Sequence, residues 1–224
     1  MKFAVLRFPG SCDELDALGA ALRVGDAELV WHRQRDLRGA DAIVVPGGFS
    51  YGDYLRAGAI ARFAPAMEAV IAFASDGGLV LGICNGFQVL CEAGLLPGAL
   101  LPNVNLRFTS RQVQLRVERA DTPFTGACPP GAPLSIPAKH AWGRYHADEP
   151  TLAALEGRRQ VLLRYAPGHN FNGSANDIAG VCNARGNVLG LMPHPEHAVD
   201  ELSGSTDGLC IFASMRLALE GAHA

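Results

Sequence analysis

The chain has 224 residues, 49% of them hydrophobic and 18% charged. That balance excludes a disordered polar chain, and a chain of this length buries enough surface to need no disulfide or metal staple. With 19 basic and 22 acidic residues the net charge is −3, which leaves no basic footprint for nucleic acid or an anionic membrane.

In chain order, Lys2–Phe8 is a short apolar run ending at Pro9-Gly10, which predicts a strand and a turn. Ser11-Cys12-Asp13-Glu14 has the spacing of a capping box, and Leu15, Leu18 and Leu22 follow at helical spacing until Gly25. Glu28–Trp31 and Ala42–Val45 are strand candidates. Ala57–Ala74 reads as mostly helical, with a break or kink at Pro65. Gly77-Gly78 ends it, and Leu79–Ile83 is a buried strand followed by a helix through Ala93, capped by Gly94. Gln112–Glu118, Val161–Tyr165, Ile178–Cys182 and Val188–Met192 are further strands, and Ile211–Glu220 is a closing helix. Pro129-Pro130-Gly131-Ala132-Pro133 is a stiff link inside one domain. The alternation predicts a single-domain α/β fold, with a mostly parallel central sheet flanked by helices.

The stretch LVLGICNGFQVL at Leu79–Leu90 carries the strongest chemical signal. An apolar strand runs straight into Gly82-Ile83-Cys84-Asn85-Gly86, the cysteine form of a nucleophile elbow. A sharp strand-to-helix turn leaves no room for Cβ atoms two residues either side of the nucleophile. The free N–H groups opening the next helix favour a thiolate, and that of Asn85 can face a developing oxyanion. A buried packing cysteine is the plain alternative, and it fits Cys91, deeper in the same helix.

A thiolate nucleophile needs a proton shuttle, usually histidine with a carboxylate behind it. His194 follows the strand Val188–Met192 in Met192-Pro193-His194-Pro195-Glu196-His197. In extended chain His194 and Glu196 point to one side, and His197 to the other. His140 and His169 read as loop residues with packing or surface roles. Pro46-Gly47-Gly48-Phe49 follows the strand Ala42–Val45, and its glycines allow the backbone close to a ligand, as a second oxyanion donor opposite Asn85. It is not a phosphate-binding glycine motif.

Six cysteines, at 12, 84, 91, 128, 182 and 210, show no metal-ligand spacing. No apolar run reaches the roughly 18 residues of a membrane helix, and MKFAVLRFPGSCDELD turns acidic too early for a signal peptide. The expectation is a cytoplasmic chain with reduced thiols, in which Cys12, Cys91, Cys128, Cys182 and Cys210 are structural.

Together these motifs resemble the class I (triad) glutamine amidotransferases, with Cys84 in GICNGFQ and His194 and Glu196 in PHPE. Within that group, FPGSCD, PGGFSYGDYLRAGAIAR, GICNGFQVL, LLPNVNLRF, NFNGS and MPHPEH are similar to stretches of the glutaminase subunits of phosphoribosylformylglycinamidine synthases, enzymes of purine biosynthesis. The resemblance covers 1–224 as one type 1 amidotransferase domain. It implies that Cys84 attacks the side-chain amide of glutamine, with an oxyanion hole near Gly48, Phe49 and Asn85. It also implies glutamine contacts at Gln88, Asn105, Arg107 and Phe108. Ammonia would pass to a separate synthetase subunit that uses ATP and Mg, with a third, small subunit bridging the two. No metal is expected on this chain, the resemblance assigns it no cofactor, and contact with ADP or ATP is left open.

Two stretches depart from the family pattern. Ser11 abuts Cys12 where an Asn usually intervenes, and Trp142 in Lys139–Tyr145 replaces a usual acidic residue. The alternatives are a γ-glutamyl hydrolase or cysteine peptidase of similar fold, and a non-catalytic subunit that keeps the fold. The carboxylate two residues after His194 and the GGFSYGD loop weigh against the first. Intact Cys84, His194 and Glu196 weigh against the second.

Overall fold

The uninterrupted apolar runs become the centre of a parallel sheet, where both faces are covered. Strand β1 (Lys2–Arg7) leads to helix α1 (Glu14–Leu22), β2 (Asp26–Trp31), β3 (Ala42–Val45), α2 (Pro65–Ser75), β4 (Leu79–Ile83) and α3 (Asn85–Glu92). Then come β5 (Ala99–Leu101), β6 (Thr109–Val117), β7 (Leu134–His140), β8 (Arg144–His146) and α4 (Glu149–Gly157). The chain closes with β9 (Val161–Tyr165), β10 (Ile178–Cys182), β11 (Val188–Leu191) and α5 (Leu209–Ala222). The structure, a computed structural model, describes residues 1–129 and 131–222, the side chain of Ala222 excepted. Pro130 of the expected proline-rich link therefore lies outside the described residues.

The sheet has nine strands in the order β2-β1-β3-β4-β11-β10-β9-β6-β7. The pairs from β2 to β11 are parallel, and those from β11 to β7 are antiparallel. Only β10 and β6 therefore run against the rest. β5 and β8 form a small separate sheet. Helix α3 lies against β3, β4 and β11, and α1 touches α5. Phe3 of β1 meets Phe212 of α5 edge-on at 6.4 Å.

Four local expectations change. The capping box does not form: Asp13 caps α1 without a side-chain bond, and Ser11 Oγ instead accepts from the Phe8 N–H at 3.0 Å. Glu14 is drawn away to Arg7 at 3.1 Å. Only Pro65–Ser75 of the expected 57–74 helix is α-helical, because Pro65 takes the first helical position and the chain before it forms tight turns. His140 is the last residue of β7 and buried, not a loop residue. Finally, the expectation of fully reduced thiols fails at Cys128 and Cys210, which form a disulfide with their Cα atoms 4.9 Å apart. They are 82 residues apart in sequence, so no local pattern pairs them. Cys12, Cys84, Cys91 and Cys182 are free.

Candidate active site

The strand order reverses about β1: β2 lies on one side of it and β3 on the other. Clefts beyond the carboxyl ends of strands at such a reversal are the natural ligand sites of open α/β sheets. The loops after β1, β3, β4 and β11 meet here and bring Asp13, Gly47, Cys84 and His194 together.

Cys84 joins β4 to α3 with φ 50° and ψ −104°, a strained turn that a non-glycine residue adopts only where its surroundings enforce it. The flanking glycines explain how. A Cβ on Gly82 would lie 2.9 Å from the Gly86 carbonyl, and one on Gly86 would collide with the Val45 carbonyl of β3. The turn points the buried thiol at the edge of β7, where Sγ donates to the Lys139 carbonyl at 3.9 Å.

His194 is buried, and its backbone N–H donates to the Pro137 carbonyl at 2.8 Å. Its Nδ1–H donates to Glu196 Oε1 at 2.6 Å. Burial disfavours an imidazolium here, but the charges of Glu196 and Cys84 outweigh it and hold the His194 pKa well above its ordinary value. The pair does not arise from extended backbone. Pro195–His197 is a tight 3-10 turn, which brings residues three apart onto one face. His197 therefore does not point away: its ring centre is 5.4 Å from that of His194, and Nε2 donates to Asp13 Oδ1 at 3.0 Å.

Asp13 is the member that sequence reading passed over. Its carboxylate is buried, 3.7 Å from His194 Nδ1, and Lys139 Nζ donates to it. Burial would raise its pKa; His197, the His194 charge and Lys139 overcome that and hold it well below the usual carboxylate range. Asp13, His194, Glu196 and His197 bring possible metal-ligand atoms within 4.8 Å of one another. In this arrangement Lys139 neutralises Asp13, and Glu196 occupies Nδ1 of His194.

The pocket in front of Cys84 is lined by Phe49, Asp53, Gln88, Phe108, His140 and Trp142, among others. Gln88 is buried, accepting from Asn85 Nδ2 at 2.9 Å and donating to the Trp142 carbonyl. Phe108 stands at the mouth, its ring 6.5 Å from that of Phe49. Asn105 and Arg107 are not among the lining residues; both are exposed, and Asn105 Oδ1 accepts from the Arg107 N–H at 3.0 Å. At the expected oxyanion hole, Asn85 opens α3, so its N–H has no intrahelical acceptor. Gly48, at φ +140°, lies against Cys12 and Gly10. The Phe49 N–H, by contrast, is committed to the Gly10 carbonyl at 2.8 Å and does not face the pocket as a free donor.

The CobB/CobQ-like glutamine amidotransferase domain matches residues 1–208. The chain belongs to this amidotransferase family. A relative from Thermus thermophilus is 58% identical over 222 residues, covering 96% of this chain and 97% of its own. One from Rubrobacter xylanophilus is 59% identical over 216 residues, covering 96% and 97%. Both carry the name phosphoribosylformylglycinamidine synthase subunit PurQ. Among solved structures, a chain of PurLQS from Thermotoga maritima superposes with a TM-score of 0.88 at 43% identity, covering 97% of this chain and 98% of that one.

In this amidotransferase two further residues support the pocket, although sequence reading assigned neither a role in the site. Asn103 is fully buried and ties the LLPNVNLRF loop to β7, donating to the His140 carbonyl at 2.8 Å and the Arg107 carbonyl at 3.0 Å. His140 stacks on Phe171 at 5.1 Å, and burial together with the His194 charge pushes it down to about 3, a neutral packing ring. The polar residue inside an apolar run was the available signal for Asn103.

Proposed function

We propose that this chain, 1–224 as one domain, is the glutaminase subunit of a phosphoribosylformylglycinamidine synthase, with Cys84, His194 and Glu196 as its catalytic triad. The observation that carries this reading is His194 fixed by Glu196 at 2.6 Å beside a cysteine held at φ 50°. The Cys84 sulfur adds to the side-chain amide carbon of glutamine. The Asn85 N–H, and a backbone N–H at Gly48, stabilise the oxyanion. His194 gives a proton to the departing nitrogen, releasing ammonia and leaving a glutamyl thioester. It then takes a proton from water, which adds to the thioester and expels Cys84, giving glutamate. Glu196 orients the ring and stabilises imidazolium. Gln88 and Phe108 wall the glutamine pocket, while Asn105 and Arg107 act from its exposed margin.

The ammonia is consumed by a separate synthetase subunit, which uses ATP and Mg to convert formylglycinamide ribonucleotide to formylglycinamidine ribonucleotide, with a small subunit bridging the two. The names PurQ and PurLQS borne by relatives support that assembly. The location is the cytoplasm; among the described residues no helix is long and apolar enough to cross a membrane. Reconstitution with the synthetase tests the division of labour. Cys84→Ala abolishes glutamine-dependent synthesis and leaves ammonia-dependent synthesis largely intact; loss of both activities refutes it.

A further inference from the structure

Three carboxylates surround the reacting centre, and two are already committed. Glu196 Oε1 holds His194, and Asp13 is neutralised by Lys139 and hydrogen-bonded by His197. Asp53 differs. It lines the pocket half-buried, and its one side-chain hydrogen bond among the described residues comes from Asn85 Nδ2 at 3.3 Å. No basic side chain pairs with it there.

We propose that Asp53 is the subsite for the α-ammonium group of glutamine. The substrate enters as a zwitterion, and its ammonium must leave water beside Phe49, Phe108 and Trp142. A charge moved into such surroundings needs an opposite charge there. Asp53 is the pocket carboxylate with no cation of its own. Its reach also fits. Asp53 is bonded to the side chain of Asn85, the residue after the nucleophile, while the amide carbon and the α-nitrogen of extended glutamine are about 5 Å apart.

The loop that carries Asp53 is built at a cost in backbone conformation. Tyr51, Gly52, Asp53 and Leu55 have φ of 54°, 70°, 53° and 71°, a left-handed run that only glycine adopts freely. It is pinned by the Ser50 N–H on Asn85 Oδ1 at 3.1 Å and by Tyr51 Oη on His32 at 2.6 Å. Strain of this kind persists where surrounding structure enforces it, and it gathers at ligand clamps. Here it delivers an uncompensated carboxylate to the pocket. Asn85 thus joins both ends of the substrate, with its backbone at the oxyanion and its amide at the ammonium carboxylate.

The assignment rests on the glutaminase reading, and one experiment separates their failures. The reconstituted complex is assayed with glutamine and with 4-carbamoylbutanoate, which keeps the amide, chain and carboxylate but lacks the amino group. Asp53→Asn is expected to raise KM for glutamine about 30-fold or more, the loss typical of removing one partner of a desolvated charge pair. It should change kcat little, and leave kcat/KM for 4-carbamoylbutanoate within about twofold. Asp53→Glu keeps the charge and should recover part of the loss, and it answers the same question if the amide variant does not fold. Iodoacetamide should alkylate Cys84 at an unchanged rate. Equal losses on both substrates, no loss on either, or a changed alkylation rate overturns the role of Asp53. A wild-type complex that hydrolyses no glutamine overturns the glutaminase reading instead.

Discussion

Gly47→Ala places one methyl group between Asp13 and His194. Its Cβ would stand 2.8 Å from His194 Cε1 and 3.3 Å from Asp13 Cγ, and would collide with Asp13 Oδ2. The His194 contact is about 0.6 Å short of the 3.4 Å at which ordinary contact begins. Neither neighbour gives easily. His194 is held at both ends, by Glu196 at 2.6 Å and Pro137 at 2.8 Å, and Asp13 by His197 at 3.0 Å and by Lys139. The backbone cannot retreat freely either, because the Gly47 carbonyl accepts from the Cys12 and Asp13 N–H groups. A misplacement of about 1 Å costs a rate on the order of 100-fold, so a drop in glutamine-dependent turnover of about 10- to 100-fold is expected. Overpacking of a filled site costs about 1–3 kcal/mol, read as a lowered thermal midpoint. Ammonia-dependent synthesis by the same complex controls for assembly. Gly19→Ala is the matched control: nothing lies within 4 Å of its Cβ, and it sits inside α1. It should gain about 0.5–1 kcal/mol at unchanged turnover. Full glutamine-dependent activity in Gly47→Ala would refute the geometry assigned to Asp13 and His194.

Glu196→Gln keeps the shape but removes the charge behind His194; a fall in glutaminase kcat of about 100- to 10,000-fold is expected, by analogy with neutralised triad carboxylates, and a loss under fivefold would show that Glu196 does not stabilise imidazolium. Asp13 has a folded-state pKa below its unfolded value, so it contributes stability above the ordinary carboxylate range, and that contribution is lost as pH falls below about 4. In urea denaturation the deficit of Asp13→Asn should be full at pH 6 and shrink progressively below about pH 4; a deficit independent of pH would remove charge from the explanation. Asp53 has the opposite sign. Burial, against the Asn85 hydrogen bond, lifts its carboxyl to about 6, so ionised Asp53 destabilises the fold increasingly as pH rises from about 4 to 6. Asp53→Asn should therefore be more stable at pH 7 by about 1 kcal/mol, after allowance for its solvent exposure, and the gain should fade near pH 4. A destabilised Asn variant at pH 7 would contradict this.

The parts of the fold carried by short-range pattern were legible: the buried strands, the glycines around Cys84, and the interruption of the 57–74 segment at Pro65, though not that the helix begins there. What escaped depended on distance along the chain. Strand β7 alternates buried and half-buried positions over Leu134–His140, but Pro137 disguises it, because proline is tolerated only where a strand lies at a sheet edge. Asp13 looked like part of a helix cap because its partners, Lys139 and His197, are 126 and 184 residues away. His197 was misplaced because two-residue alternation was applied to a segment that Pro195 turns into a tight helix. Arg107 and Asn105 came from motif position alone, and position does not say which side of a loop faces the pocket.

Strand β7 ends the sheet, yet its outer edge closes on the opposite half of the molecule: the His194 N–H meets Pro137, and Cys84 meets Lys139. The curl blunts an edge that could otherwise recruit a second chain. β4 and β11 already set Cys84 and His194 side by side, and β7 braces them from the far end of the sheet, with the carbonyls that take up the Cys84 thiol and the His194 N–H and the ammonium that holds Asp13.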